Sequence, residues 1–438
     1  MGATPEVSDP PAPADAASPS SEARRRILLI CPEPPAPPTW GFALRVYHLG
    51  RELARRHEVT LLTYDVGDES RDWRHLDELF RVRRVPAPAS LRSKRTRQLR
   101  SLLSRRSFHL GSLLSPAMQR ALDELTSGER FDVIQVESSQ MSGFDFPSGP
   151  VLVLDEHNVE HELMRRVASV ERSLPRRVYQ GIESRKVRRE EIAAWRHAGG
   201  CAVTSVEDER TVLEAAPSTL TRVVPNGVDL DHFAPTSGPV DPDTIVFVGS
   251  INYRPNTDAV LHFAEHILPL VRKARPQASF TVVGQGSPEN VRRLDGPEVH
   301  ILGGVPDVRP HLARAAVVAV PLRMGGGTRL KVLEGLAMGK ALVSTSLGCE
   351  GIDVEDEHHL LVADSSEDFA KAVVRLMADT DLRRKLGSAG RELVERRYGW
   401  PAAVAELDAF HVQLLSAGQA VRGRPATAWD AVPTGGAA

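Results

Sequence analysis

Short apolar runs alternate along this chain with longer segments whose apolar residues recur at helical spacing. Arg26 to Cys31 (RILLIC), Glu58 to Thr63, Phe131 to Val136, Val151 to Asp155 and Gly200 to Thr204 have the length and near-continuous apolar character of strands buried on both faces. Between the first two, Phe42 to Arg56 reads as a helix, and a basic amphipathic helix is expected near Glu183 to His197. A Pro/Gly/Asp-rich run, Pro225 to Asp243, then breaks the rhythm. Beyond it a second series begins: Thr244 to Gly249, a helix from Pro255 to Arg272, Ala278 to Gly284, Glu298 to Leu302, Asp307 to Ala315 and Val317 to Leu322. Strands alternating with helices predict a parallel, doubly wound α/β sheet in each series. The chain is therefore expected to form two Rossmann-like halves with a cleft between them.

The expected boundaries are a Pro/Ala/Ser-rich extension at 1–23, a first domain at 24–224, a linker at 225–243, a second domain at 244–398 and a tail at 417–438. The helix at 401–416 comes after the Tyr398-Gly399-Trp400 break and is expected to return to the first domain.

The richest stretch is Gly325 to Glu334 (GGGTRLKVLE). Gly325, Gly326, Gly327 and Thr328 come after the apolar run Val317 to Leu322 and lead into a helix carrying Arg329, Lys331 and Glu334. Ligands of open α/β sheets bind at such strand ends. Glycine lets the backbone approach an anion, the first-turn N–H groups point at it, and two side-chain cations stand beside it. Lys331 and Glu334 are three apart and share a helix face, so a carboxylate suited to hydroxyls lies behind a seat suited to phosphate. An ordinary surface helix after a glycine turn would carry the same residues. A second glycine-bearing loop, Thr345 to Gly351 with Glu350, argues against that reading, because two such loops at adjacent strand ends frame one cleft.

Composition narrows the class. With 41% hydrophobic and 26% charged residues the chain reads as a soluble globular protein, and no run reaches the length of a membrane span. No secretory signal pattern opens it, so a cytoplasmic location is the default expectation. Cys31, Cys201 and Cys349 lie too far apart for a zinc site and are expected to be buried. Net charge is −2, yet Arg81 to Arg106 holds ten Lys/Arg and no acid, and Arg165 to Arg189 holds nine against two. Such stretches suit anionic lipid headgroups or a phosphorylated acceptor, and equally a pair of solvated arginine-rich helices. No aromatic interleaving or reading motif accompanies them, so nucleic acid is not an expected partner.

Smaller signals are weaker. Gly284-Gln285-Gly286 lacks the third glycine of a dinucleotide fingerprint, since Glu289 stands there. Asp229-Leu230-Asp231 has metal-pair spacing but sits in the linker beyond Asn226-Gly227, where a turn role is preferred, and no metal is expected. His157 in Asp155-Glu156-His157-Asn158 closes a strand, faces the expected cleft, and is a candidate against a plain hydrogen-bonding turn role.

With these segments assembled, the chain resembles the family 4 glycosyltransferases of the GT-B fold, enzymes with two facing Rossmann-like domains. Val224 to Asp229 with Phe233 looks like the family's linker, Phe247 to Ser250 with Pro255, Asn256, Asp258 and Ala259 like the opening of its donor domain, and Pro321 to Gly351 like its most specific motif. The resemblance implies a retaining, metal-independent transfer of sugar from a nucleotide diphosphate sugar to a saccharide or lipid-linked hydroxyl, with no cofactor beyond that co-substrate. By the same resemblance Glu334 binds the donor ribose, Val305 packs near the nucleobase, His157 lies near the reacting sugar, and Gly41 faces the phosphates. Arg329 and Lys331 become diphosphate clamps, and Gly249, Arg254, Glu350 and Gly351 join the donor site. The family's partner glutamate, eight positions before Glu334, is absent, for position 326 is Gly. A nucleotide-sugar epimerase and a catalytically silent sugar-nucleotide or polysaccharide binder are the rival readings.

Overall fold

A computed structural model describes residues 24–38, 40–67, 72–88, 101–102, 104–169, 173–326 and 329–418. The 1–23 extension, most of the tail, Gly327, Thr328 and much of the Arg81 to Arg106 stretch lie outside the described residues.

Among the described residues thirteen strands form two wholly parallel sheets, so the α/β expectation with two doubly wound halves holds. The first sheet contains β1 (Arg26–Cys31), β2 (Glu58–Asp65), β3 (Arg81–Pro86), β4 (Val133–Glu137), β5 (Val151–Glu156), β6 (Gly200–Val203) and β7 (Thr221–Val223), in the order β3-β2-β1-β4-β5-β6-β7. The second contains β8 (Asp241–Val248), β9 (Ser279–Val283), β10 (Val299–Gly303), β11 (Ala315–Val320), β12 (Leu342–Ser344) and β13 (Leu361–Val362), in the order β10-β9-β8-β11-β12-β13. In each sheet the winding reverses beside its first strand, between β1 and β4 and between β8 and β11. Those reversals open a crevice beyond the strands' carboxyl ends, and every candidate loop of the sequence lies at such an end.

Burial tracks the apolar runs. All six residues of β5 and of β11 are buried, as strands covered by helices on both faces must be. Five helices carry or brace the residues of the crevice: α1 (Gly41–Ala54), α2 (Glu160–Ser169), α3 (Leu174–His197), α4 (Leu330–Ala337) and α5 (Trp400–Ser416). Pro401 at its first turn suits the start of α5, and its buried face (Trp400, Ala403, Val404, Leu407, Phe410, Leu414) packs on the first sheet with α1. Two crossing segments join the halves there: Val228 N–H donates to the Tyr398 carbonyl at 2.7 Å.

The arginine-rich stretch beginning at Arg81 is not helical at its start. Arg81–Pro86 is the edge strand β3, and its arginines pair with acids, Arg81 with Glu129, Arg83 with Glu124 and Arg84 with Asp77. Charged side chains on an edge strand discourage pairing with another chain, which accounts for these three arginines without a ligand. All three cysteines are buried, and no helix among the described residues is long and apolar enough to cross a membrane.

Candidate active site

The second half supplies an anion cradle. Its loops leave β8 at Gly249 and β11 at Pro321, the two strands flanking the reversal, and α4 begins where the β11 loop ends. Lys331, on the first turn of α4, donates to Asn256 Oδ1 at 2.7 Å and lies 4.1 Å from the centre of the Phe247 ring. No carboxylate among the described residues comes within ion-pair distance of it. Burial, then the Arg329 charge, push its pKa down to about 7, with Glu334 opposing. The backbone of Gly249 passes so close that a Cβ there would meet Lys331 Nζ at 2.8 Å, and its φ of +156° would strain any other residue. Gly325 is alike: φ is +134°, and a Cβ would meet Arg329 Nη2 at 3.0 Å. Arg329 is only 8% exposed and folds back to donate to the Gly326 carbonyl, so its guanidinium shapes the loop that it charges.

Beside this cradle a cavity of about 480 Å³ opens between the halves. Gly249, Gly304, Val305 and Glu334 line it from the second half, Tyr47 and His48 from α1, and Asp229 from the linker. Glu334 lies one turn behind the cations. Burial pushes its carboxyl up to about 7, Lys331 opposing. The cavity is thus apolar along Val248, Val283 and Val308, with a carboxylate at the end nearest the cradle. A flat heterocycle with a hydroxylated ring and an anionic group fits that sequence of surfaces.

The first half supplies a histidine in a buried ionic network. Arg45, wholly buried in the middle of α1, donates from Nε and Nη2 to both Asp155 oxygens (2.9 and 2.7 Å), and from Nη1 to the Val224 carbonyl and Asn226 Oδ1 at the linker. His157 Nε2 lies 2.8 Å from Glu137 and 3.5 Å from Asp155, and its ring stacks on Phe42 with centres 4.7 Å apart. Burial alone would lower His157, but hydrogen bonds and charge from Asp155 and Glu137 outweigh it and hold the imidazole up to about 9. Asp155 is driven well below the usual carboxylate range: burial would raise it, and the Arg45 charge and His157 win. Gln135 donates to Glu137 at 2.8 Å and accepts from His411 of α5 at 3.0 Å, so both α1 and α5 hold the network in place. The ligand atoms of Glu137, Asp155 and His157 come within 4.8 Å of one another. A cation among them would have to compete with Arg45 and with the imidazolium. Nδ1 of His157 has no hydrogen-bond partner among the described residues.

The structure therefore brings the sequence candidates together in groups. Gly249, Val305 and Glu334 surround the cavity; Gly325, Gly326, Arg329 and Lys331 form the cradle. Gly41, the first residue of α1, faces the start of α4, its Cβ direction 3.8 Å from Leu330 Cδ1. Glu350 and Gly351 come after β12, and Glu350 pairs with Arg166 of the first half. Arg254 opens the helix Arg254–His262 and is not on the cavity wall. Arg45 and Glu137 escaped the sequence reading, Arg166 entered it only within a basic stretch, and Asp155 only as a neighbour of His157. Arg45 had one signal, a charge at the i−4 and i−8 positions of Leu49 and Leu53 on the core face of α1.

Two family models match the chain, one described as Glycosyltransferase Family 4 over residues 41–232 and one as Glycosyl transferases group 1 over residues 242–379. A D-inositol 3-phosphate glycosyltransferase of Streptomyces bingchenggensis is 30% identical over 45% of this chain. A GDP-mannose-dependent alpha-(1-6)-phosphatidylinositol monomannoside mannosyltransferase of Mycobacterium tuberculosis is 27% identical over 48% of it. The matched regions span 49% and 60% of those relatives' own lengths. Among solved structures, sucrose-phosphate synthase from Thermosynechococcus elongatus superposes with a TM-score of 0.70 at 21% identity, covering 90% of this chain and all of that one. Anabaena HepE in complex with UDP gives 0.61 at 13% identity over 89% of this chain and all of its own. At such identities the likeness is one of fold.

Proposed function

The chain belongs to the family 4, group 1 glycosyltransferases, and on that premise we propose that it moves a glycosyl group from a nucleotide diphosphate sugar to a hydroxyl acceptor with retention at the anomeric carbon. The observation that carries this reading is the order of surfaces at the carboxyl ends of β8 and β11: an apolar cavity, the Glu334 carboxylate, then the two cations of the cradle. The base and ribose take the cavity, Glu334 accepts the ribose hydroxyls, and the diphosphate sits at Gly249, Arg329, Lys331 and the first turn of α4. In the reaction the bond from the anomeric carbon to the diphosphate oxygen breaks, the acceptor oxygen bonds to that carbon on the same face, and its proton passes to the leaving diphosphate. Arg329 and Lys331 stabilise the charge growing on that leaving group. His157, held as an imidazolium by Glu137 and Asp155, offers Nδ1–H to the reacting sugar.

The relatives are named for inositol phosphate and phosphatidylinositol mannoside substrates, which favours a polyol or a lipid-linked saccharide as acceptor here. A surface feature agrees with the lipid-linked choice. Leu174 and Val178, one turn apart at the start of α3, are 62% and 61% exposed beside Arg176 and Arg177, a pattern suited to an anionic membrane surface at which the enzyme acts from the cytoplasmic side. Sedimentation with phosphatidylglycerol vesicles but not with phosphatidylcholine vesicles is expected, and equal behaviour with both removes this part.

The donor reading is tested by calorimetric titration with UDP, GDP and their sugars. One base binds, and Glu334→Ala weakens it about tenfold or more, as loss of hydrogen bonds to a charged acceptor does. Binding of none of them overturns the reading. Gly326, where the family carries a carboxylate, is the feature that favours a silent binder, and turnover with an acceptor decides between the two.

A further inference from the structure

Position 326 lies directly against the first half. A Cβ there would point at Leu163 Cβ (3.5 Å) and Asn158 Oδ1 (3.8 Å) of the first half. Those residues belong to the start of α2 and the residues just before it. Glu191 of α3 caps that start, accepting the N–H groups of Glu160 (2.7 Å) and His161 (3.1 Å). Fixed in this way, α2 covers the Gly325-Gly326 backbone. Arg166, three residues after Leu163 and so on the same face, donates to the Gly325 carbonyl at 3.1 Å. The same guanidinium grips both Glu350 oxygens, at 2.5 and 3.0 Å.

The sheet order gives this clasp a meaning. From β10 to β12, the strand-end loops carry first the cavity, at β10, β9 and β8, then the cation cradle after β11, then Glu350 after β12. A nucleotide diphosphate sugar with its base in the cavity and its phosphates in the cradle continues toward β12. Its glycosyl hydroxyls therefore arrive at Glu350. A carboxylate gripped by one guanidinium still has lone pairs for hydroxyl donors, and a bidentate grip holds their direction. Resting on the donor reading above, we propose that Glu350 is the carboxylate that recognises the donor's sugar hydroxyls, and that Arg166 is its positioning residue, reaching across from the opposite half. Selectivity for the sugar then depends on contact between the halves, whereas affinity for the nucleotide depends on the second half and the cavity.

The test compares UDP with UDP-glucose and UDP-N-acetylglucosamine, and GDP with GDP-mannose, by calorimetry on the full chain. Wild-type binding of any nucleoside diphosphate reports on the donor reading, and its absence removes that reading and the inference with it. Given that binding, Glu350→Gln is expected to leave nucleoside diphosphate affinity within about twofold and to weaken the sugar nucleotide by about tenfold. Arg166→Gln should change the same ratio in the same direction, and Arg166→Lys should restore part of it, since an ammonium offers charge without the bidentate fork. An unchanged ratio in Glu350→Gln overturns the proposal. Equal loss for nucleotide and sugar nucleotide overturns it too, because that is the mark of a disturbed fold.

Discussion

The two halves meet the cleft with charge arranged in opposite ways. In the first half, Arg45, Asp155, His157 and Glu137 are buried and matched to one another by short hydrogen bonds, with Gln135, Asn226 and the Val224 carbonyl taking further valences. In the second, Lys331 rests on an amide oxygen and an aromatic ring, and burial costs it much of its proton affinity. A matched network fixes one conformation and needs no ligand. A cation with no carboxylate at ion-pair distance among the described residues stays poised for an anion, at some expense in stability. The comparison teaches that geometry is stored in the first half and binding energy in the second.

The comparison breaks most sharply at Asp155. Asp155→Asn leaves the Arg45 guanidinium buried without its counter-charge, a loss typically of about 3–5 kcal/mol. A denaturant midpoint that does not move would show that the network is not the rigid element described. Next comes Arg329. Arg329→Ala should lower turnover by a factor on the order of 10²–10³ while leaving the unfolding midpoint nearly intact, as expected for a preorganised charge that acts on the transition state. An unchanged turnover removes its assignment as a stabiliser of the leaving group.

The smallest effect concerns protons, and it sharpens the contrast. With its pKa near 7 in the free protein, Lys331 is mostly neutral at pH 8, and a bound diphosphate raises it. Nucleotide binding at pH 8 should take up a proton, seen as a dependence of the binding heat on buffer ionisation enthalpy, and Lys331→Met should reduce that uptake. His157 behaves in the opposite sense. Its folded pKa near 9 lies above the ordinary 6.5, so its contribution to stability is complete below pH 6.5 and is lost as pH rises through 9. The stability gap between wild type and His157→Gln should therefore close from pH 6.5 to pH 9.5. A gap that widens would contradict the matched network.

Legibility differed between the halves for a physical reason. The central strands and the glycine loop at 325–328 stood out because buried parallel strands must be apolar throughout and a close backbone approach must be glycine. Edge strand β3 read as a basic stretch, since an edge needs charge rather than apolar residues. The helices Ser366–Ala378 and Thr380–Arg397 passed unnoticed beside the louder motif, although Phe369, Val373, Leu386 and Leu393 carry their buried faces. Of the cleft itself, the residues of one local loop (Arg329, Lys331, Glu334) were readable together. Partners brought from 110 residues apart, such as Arg45 and Asp155, were not.

By itself the sequence determined the alternation of strand and helix, the two-half architecture, and the cation-bearing glycine loop, because each is a local pattern imposed by backbone geometry and burial. Only the tertiary structure decided that Arg45 neutralises Asp155, that α2 lies against Gly326, and that Arg166 joins Glu350. Those are pairings between segments whose meeting depends on sheet order and on the approach of two halves, and no local periodicity encodes them.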